Sequence, residues 1–138
     1  MSDPDLKVQP VLTDELRAWM VAELRYPVLG INSQDGPPNL SVMWFELDPA
    51  DPNVILMNTM VRRLKYRQMR ADPRVSLLFE DGDRWFAMRG MVDLDANVDR
   101  ALAHIQGLAR RYKGDPARFD GQERVIVRMR VEKVIRHD

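Results

Sequence analysis

Apolar residues recur along this chain in two rhythms, one helical and one alternating, and the change from one to the other marks out the elements. Leu16, Trp19, Met20 and Leu24 stand at helical spacing behind Thr13-Asp14-Glu15. There Thr13 can cap the free N–H groups while the two acids complement the helix dipole, so a short helix is predicted that ends before Pro27. Residues 27–33 read as a strand and Gln34-Asp35-Gly36-Pro37-Pro38 as a turn. Residues 39–47 then form a second strand that completes a hairpin. In that second strand both alternating sets are apolar, with Ser41, Met43, Phe45 and Leu47 on one side and Leu40, Val42 and Trp44 on the other. Both faces are therefore expected to be covered, one by a barrel interior and the other by a helix, a ligand or a second subunit.

A Pro-rich turn over 48–53 leads to a third strand at 54–59 and a helix over 61–71, closed by Asp72-Pro73. Residues 74–80 and 84–95 alternate as strands around Asp81-Gly82-Asp83, a strong hairpin signal. A longer helix over 97–111 turns Leu102, Ile105, Leu108 and Ala109 inward, residues 115–121 read as a loop or helical turn, and a last strand has its core at 125–131. The order is helix, three strands, helix, two strands, helix, strand. With short antiparallel connections, this predicts a mainly β fold with attached helices, a six-stranded antiparallel barrel and not a doubly wound α/β sheet. Residues 1–11 read as an N-terminal tail and 12–138 as a single domain, which the length of 138 residues also suggests.

Composition narrows the chemistry. No stretch reaches the ~20 apolar residues of a membrane span, and the polar start lacks the apolar core of a signal peptide, so the expected location is cytoplasmic with no membrane partner. Cysteine is absent, which removes disulfides, thiolate nucleophiles and Cys-ligated metals. His104 and His137 lack the short spacing of a helix-borne metal site, so no metal is expected. The 21 basic and 21 acidic residues cancel. Yet residues 62–74 hold six cations, Arg62, Arg63, Lys65, Arg67, Arg70 and Arg74, against Asp72 alone.

That basic run sits where a strand ends and a helix begins, a place where unpartnered N–H groups can meet an anion. Thr59 offers a hydroxyl, Arg63 a planar fork and Lys65 a point charge, a set suited to phosphate. Charge alone equally suits a solvated helix face. Nucleic acid is disfavoured, because the remaining surface is net acidic and tracking a duplex needs a broad basic face. Trp44 and Trp85 could stack on a planar ring, and Met43, Met57, Met60, Met88 and Met91 could line a flat apolar ligand or simply fill the core. No carboxylate pair, Gly-rich phosphate loop or Ser-His-Asp set stands out, and no catalytic residue is assigned. Any redox chemistry must come from a bound cofactor.

Two segments carry a family resemblance. Pro38-Asn39-Leu40-Ser41-Val42-Met43-Trp44-Phe45, then Asn58-Thr59 with the Arg63-x-Lys65-x-Arg67 run joined to Arg70-x-Asp72-Pro73-Arg74-Val75, resemble the split β-barrel proteins of the pyridoxamine 5'-phosphate oxidase-like superfamily. The branch most similar is the one that uses the deazaflavin coenzyme F-420. Arg89-Gly90 and the closing strand over 124–135 fit the same pattern. The resemblance implies a homodimer with cofactor sites in grooves between subunits. It implies that Asn58, Thr59, Arg63 and Lys65 hold the cofactor phosphate, that Ser41, Val42 and Met43 lie along the ring system, and that Trp85 reaches in from the other subunit. The implied activity is hydride transfer from reduced coenzyme F-420 to a planar, electron-poor small molecule such as an enone, quinone or bilin. A flavin mononucleotide (FMN) enzyme and a non-catalytic protein binding a cofactor, haem or tetrapyrrole are the alternatives.

Overall fold

The structure, a computed structural model, describes residues 6–137. Its strands are β1 (Lys7–Gln9), β2 (Val28–Ile31), β3 (Asn39–Val42), β4 (Glu46–Leu47), β5 (Val54–Met60), β6 (Arg74–Glu80), β7 (Trp85–Asp95) and β8 (Arg124–His137). Its α-helices are α1 (Asp14–Val21), α2 (Leu64–Ala71) and α3 (Val98–Arg111), with a 3-10 turn at Pro116–Phe119. All strand pairs are antiparallel, and the sheet runs β3-β2-β6-β7-β8-β5-β4 with β1 added to β8. The mainly β class and curled split-barrel fold are those expected, but among the described residues the strands number eight and not six.

Two differences account for the count. The segment expected as a tail contributes β1, whose residues register with Val134, Ile135 and Arg136 of β8. Backbone pairing needs no apolar pattern, so the polar sequence there gave no strand signal. The second difference is a break in the expected strand over 39–47. Its first half pairs with β2 and its second half with β5, so residues 43–45 cross from one end of the seven-strand path to the other and close the barrel. The crossing residues cannot pair with a strand, and other groups satisfy their backbone. The Met43 N–H donates to Pro27 O at 2.9 Å and the Phe45 N–H to Tyr112 Oη at 3.2 Å. Arg111 Nε donates to Phe45 O at 3.1 Å, while Tyr112 Oη donates to Arg25 O at 2.6 Å.

Met43 and Phe45 enter the core, which Phe79, Phe86, Leu29, Ile31, Leu77 and Met88 fill from the inward positions of β2, β6 and β7. The other face of β3 is not covered within one chain: Leu40 is 71% exposed and Val42 66%. Helix α2 touches this end of the sheet, where Gln68 Oε1 accepts from Asn39 Nδ2 at 3.0 Å, without burying Leu40 or Val42, while α3 packs on β5 and β8, with Ala101 against Val54, Leu56 and Ile126. Helix α1 turns Leu16 and Met20 into the core behind its Thr13 cap, which accepts the Leu16 N–H at 3.2 Å. Gly90 sits at a bulge where β7 meets β8. A Cβ there would lie 2.0 Å from Arg130 O, so only glycine allows the two backbones to approach. No described helix is long and apolar enough to cross a membrane.

Candidate anion-binding site

The helix expected over 61–71 starts three residues late. Residues 61–63 form a turn closed by the Arg63 N–H donating to Met60 O at 3.0 Å, and α2 begins at Leu64 with no side chain capping its N-terminus. The turn swings Arg63 and Lys65 over the end of β5, beside Asn58 and Thr59. Val42 at the end of β3 and the crossing residues Met43 and Trp44 form a second wall, and α3 with Phe119 forms a third. Together they enclose an open cavity of about 290 Å³.

Of the residues expected at the site, Val42, Met43, Asn58, Thr59, Arg63 and Lys65 line this cavity. Ser41 does not; its hydroxyl lies against Met43 Sδ at 3.8 Å. Trp85 stands apart at the start of β7, stacked on His137 with ring centroids 5.7 Å apart. The sequence reading did not single out Arg124 or Phe119, both of which line the cavity. Arg124 arrives there because β8 pairs with β5, placing it opposite Met60. A lone arginine at a strand start carries no local signal of that role.

Three cations therefore meet: Arg63, Lys65 and Arg124. Among the described residues none has a carboxylate within salt-bridge distance, although Asp72, Asp81, Asp95, Asp48 and Asp51 each pair with an arginine elsewhere. Burial pushes the Lys65 amine below its usual range, and Arg63 and Arg124 beside it add to the effect. Burial, then Arg63, lowers Arg124 to about 10. Like charges held together in a partly dry place are unfavourable unless an anion joins them. The donor set of a lysine, two guanidinium forks and the Thr59 hydroxyl fits a phosphate.

Above the cations the wall is aromatic. Trp44 stacks on Tyr112 with centroids 5.2 Å apart and planes 7° apart, and Phe119 meets its edge at 6.2 Å. A planar ring system has apolar and π surface to lie against here. Larger grooves exist, among them one of about 660 Å³ between α2 and residues 32–35 and one of about 510 Å³ over the β7 bulge. Arg74 in both is matched by Asp72 at 2.8 Å, and the other cations there share the lining with carboxylates, Arg67 with Asp35 and Asp72 in the first and Arg89 and Lys133 with Glu132 in the second, whereas no carboxylate lines the smaller cavity.

A curled antiparallel sheet closed by a three-residue crossing defines a split barrel, with a cluster of cations at one strand–helix junction. The chain belongs to the pyridoxamine 5'-phosphate oxidase family, whose profile matches residues 12–138. That family includes oxidoreductases, and its fold typically binds flavin-type cofactors. Among solved structures, an F-420 reductase is 28% identical with a TM-score of 0.71, covering 85% of this chain and 94% of that one. The conserved hypothetical protein Rv2991 of Mycobacterium tuberculosis is 25% identical with a TM-score of 0.75, covering 100% and 89%. HupZ of group A Streptococcus shares the fold at 12% identity, TM-score 0.66, covering 90% and 92%. No curated protein sequence matches the chain.

Proposed function

We propose that this protein is an oxidoreductase that holds coenzyme F-420 in the cavity between β5, α2 and the crossing segment. The observation that carries this reading is the trio Arg63, Lys65 and Arg124 without a carboxylate, set beneath the Trp44 wall. The F-420 reductase with 28% identity supports the choice of ring. Arg63, Lys65 and Thr59 would hold the phosphate, and Val42 and Met43 would lie along the ring. The bound cofactor supplies hydride transfer, and the protein's part is positioning and electrostatics. No carboxylic acid or imidazole lines the cavity, so a proton for the reduced product comes from water. An electron-poor planar acceptor such as an enone, quinone or bilin suits a site open above an aromatic wall.

The cavity sits at the small end of ligand pockets, which run from ~300 to ~1,000 Å³, and it is open on one side. A second copy of the chain would supply the missing wall. On the outer face of the sheet, strand register aligns Val42, Val28, Leu78, Ala87, Ile135 and Val8 in one row across six strands. Val42 and Val8 are mostly exposed. Because Val42 belongs to both the row and the cavity, a partner covering the row would also flank the cofactor, and this supports a homodimer with the site in its groove.

FMN is the second reading, favoured by the count of three cations, which suits a doubly charged phosphate monoester. Anaerobic fluorescence titration with coenzyme F-420 and with FMN, on wild type and Lys65→Ala, tests both. Loss of a charge-assisted hydrogen bond worth about 1.5–3 kcal/mol should weaken binding roughly ten- to a hundredfold in the variant. If neither cofactor binds the wild-type protein, the proposed function is wrong.

A further inference from the structure

The resemblance places Asn58 among the residues that hold the phosphate, but the geometry points to a different division of labour. We propose that Arg124 touches the anion and that Asn58 is a positioning residue acting through it. This deepens the cofactor reading and rests on it for the identity of the ligand.

Asn58 is buried, and its amide is fully used inside the protein. Its Oδ1 accepts from Arg124 Nε at 2.9 Å, and its Nδ2 donates to Ala101 O at 3.1 Å and faces His104 Nδ1 at 3.1 Å. The orientation is unambiguous, since a guanidinium can only donate and a carbonyl can only accept. Both amide hydrogens are thereby spent, leaving no donor for a phosphate. His104 accepts at Nδ1 and so carries its proton on Nε2 when neutral. That nitrogen lies 3.1 Å from Glu46 Oε1, but the contact is too poorly aligned to be a hydrogen bond. Asn58 therefore ties Arg124 to α3 through Ala101 and His104.

Arg124 is held at two of its three nitrogens by neutral acceptors, Asn58 Oδ1 and, from Nη1, Gln122 Oε1 at 3.0 Å. Its ring-facing side lies 5.3 Å from Phe119. These anchors fix the direction of the fork without cancelling its charge, which is what a preorganised anion ligand needs. Arg63 is exposed and Lys65 half-buried, so Arg124 is the rigid member of the trio.

The test is a double-mutant cycle with Asn58→Ala and Arg124→Gln, plus Arg124→Lys. Ligands are FMN against riboflavin, and coenzyme F-420 against its phosphate-free deazaflavin. Arg124→Gln should weaken the phosphate-bearing member of each pair roughly ten- to a hundredfold, leave the phosphate-free member unchanged, and be partly rescued by Arg124→Lys. Asn58→Ala should cost less, and add almost nothing once Arg124 is gone. Fully additive losses would show that Asn58 meets the phosphate directly and overturn the proposal. Equal loss of the phosphate-free ligands would show a structural role and overturn it too. If neither cofactor pair binds at all, the cofactor reading fails alone, and calorimetry with inorganic pyrophosphate decides the inference. Wild-type binding abolished by Arg124→Gln upholds it; absent wild-type binding, or binding unchanged in the variant, refutes it.

Discussion

Replacing Tyr112 with Phe removes one oxygen and leaves every ring contact in place, so it isolates what holds the barrel closed. The Tyr112 hydroxyl accepts the Phe45 N–H and donates to Arg25 O, tying the crossing segment to the end of α3 and to the chain before β2. Burial pushes the phenol's pKa up, so it stays protonated and able to donate at neutral pH. In Tyr112→Phe the N–H of Phe45, a residue with 0% exposure, has no partner. A buried unsatisfied donor costs about 1–3 kcal/mol, and the lost bond to Arg25 O adds about 0.5–1.5, part of which water can restore at this half-buried position. The expected destabilisation is about 2–4 kcal/mol. Unfolding entropy near 2.1 cal/mol/K per residue gives about 0.29 kcal/mol/K for a chain of this length, so Tm should fall by about 7–14 °C. Urea unfolding followed by circular dichroism measures the change. The Trp44–Tyr112 stack survives the substitution, so cofactor affinity well below Tm should stay within about threefold. A loss of stability below about 0.5 kcal/mol would refute the claim that this hydroxyl satisfies the crossing.

Two further outcomes are expected. Leu78→Glu places a charge in the middle of the outer apolar row, between Val28 and Ala87, and should convert a wild-type dimer to monomer in light scattering while weakening cofactor binding. A variant that remains dimeric removes the row from the interface. Lys65 has a lowered pKa in the free protein, from desolvation first and then from Arg63 and Arg124. A group that holds its proton less tightly when folded makes stability rise with pH between its folded pKa and its unfolded value near 10.5. A bound phosphate reverses the shift, so binding should take up protons and affinity should fall as pH rises through the free-state pKa. Calorimetry at rising alkaline pH, where phosphate is already fully ionised, in buffers of different ionisation enthalpy should show that uptake in wild type and less of it in Lys65→Gln, with Arg124 supplying the remainder.

The parts of this fold that were legible share one property: their signal is local. Residues 74–80 alternate cleanly and form β6 with those bounds, because one face meets the core and the other solvent. The clustering of Thr59, Arg63 and Lys65 around one cavity was legible because they are neighbours in sequence as well as in space. The break after Val42 was not legible, since the apolar alternation runs straight through it. What interrupts the strand is a pair of side chains, Arg111 and Tyr112, that bond its backbone from nearly seventy residues away. Arg124 was hidden for the same reason, brought beside Asn58 only by the pairing of β5 with β8.

These two hidden features meet in one place, and together they explain why the site is built where it is. A chain that closes its barrel through an irregular crossing must satisfy that backbone with side chains from the end of α3. Once Tyr112 is anchored there, its ring is the surface on which Trp44 stacks. The same α3 holds Asn58 through Ala101 and His104, and Asn58 holds Arg124. The aromatic wall and the rigid cation are thus fixed by a single helix, which sets their separation. Arg63 and Lys65 come from a different element and complete the charge. Without an anion these three cations oppose folding, so a ligand that joins them stabilises the native state by RT ln(1 + [L]/Kd), about 2.7 kcal/mol at a hundredfold excess over Kd. By the same scaling, the cofactor should raise Tm by about 9 °C in the wild-type protein, and the rise should shrink in step with affinity as Lys65 or Arg124 is removed.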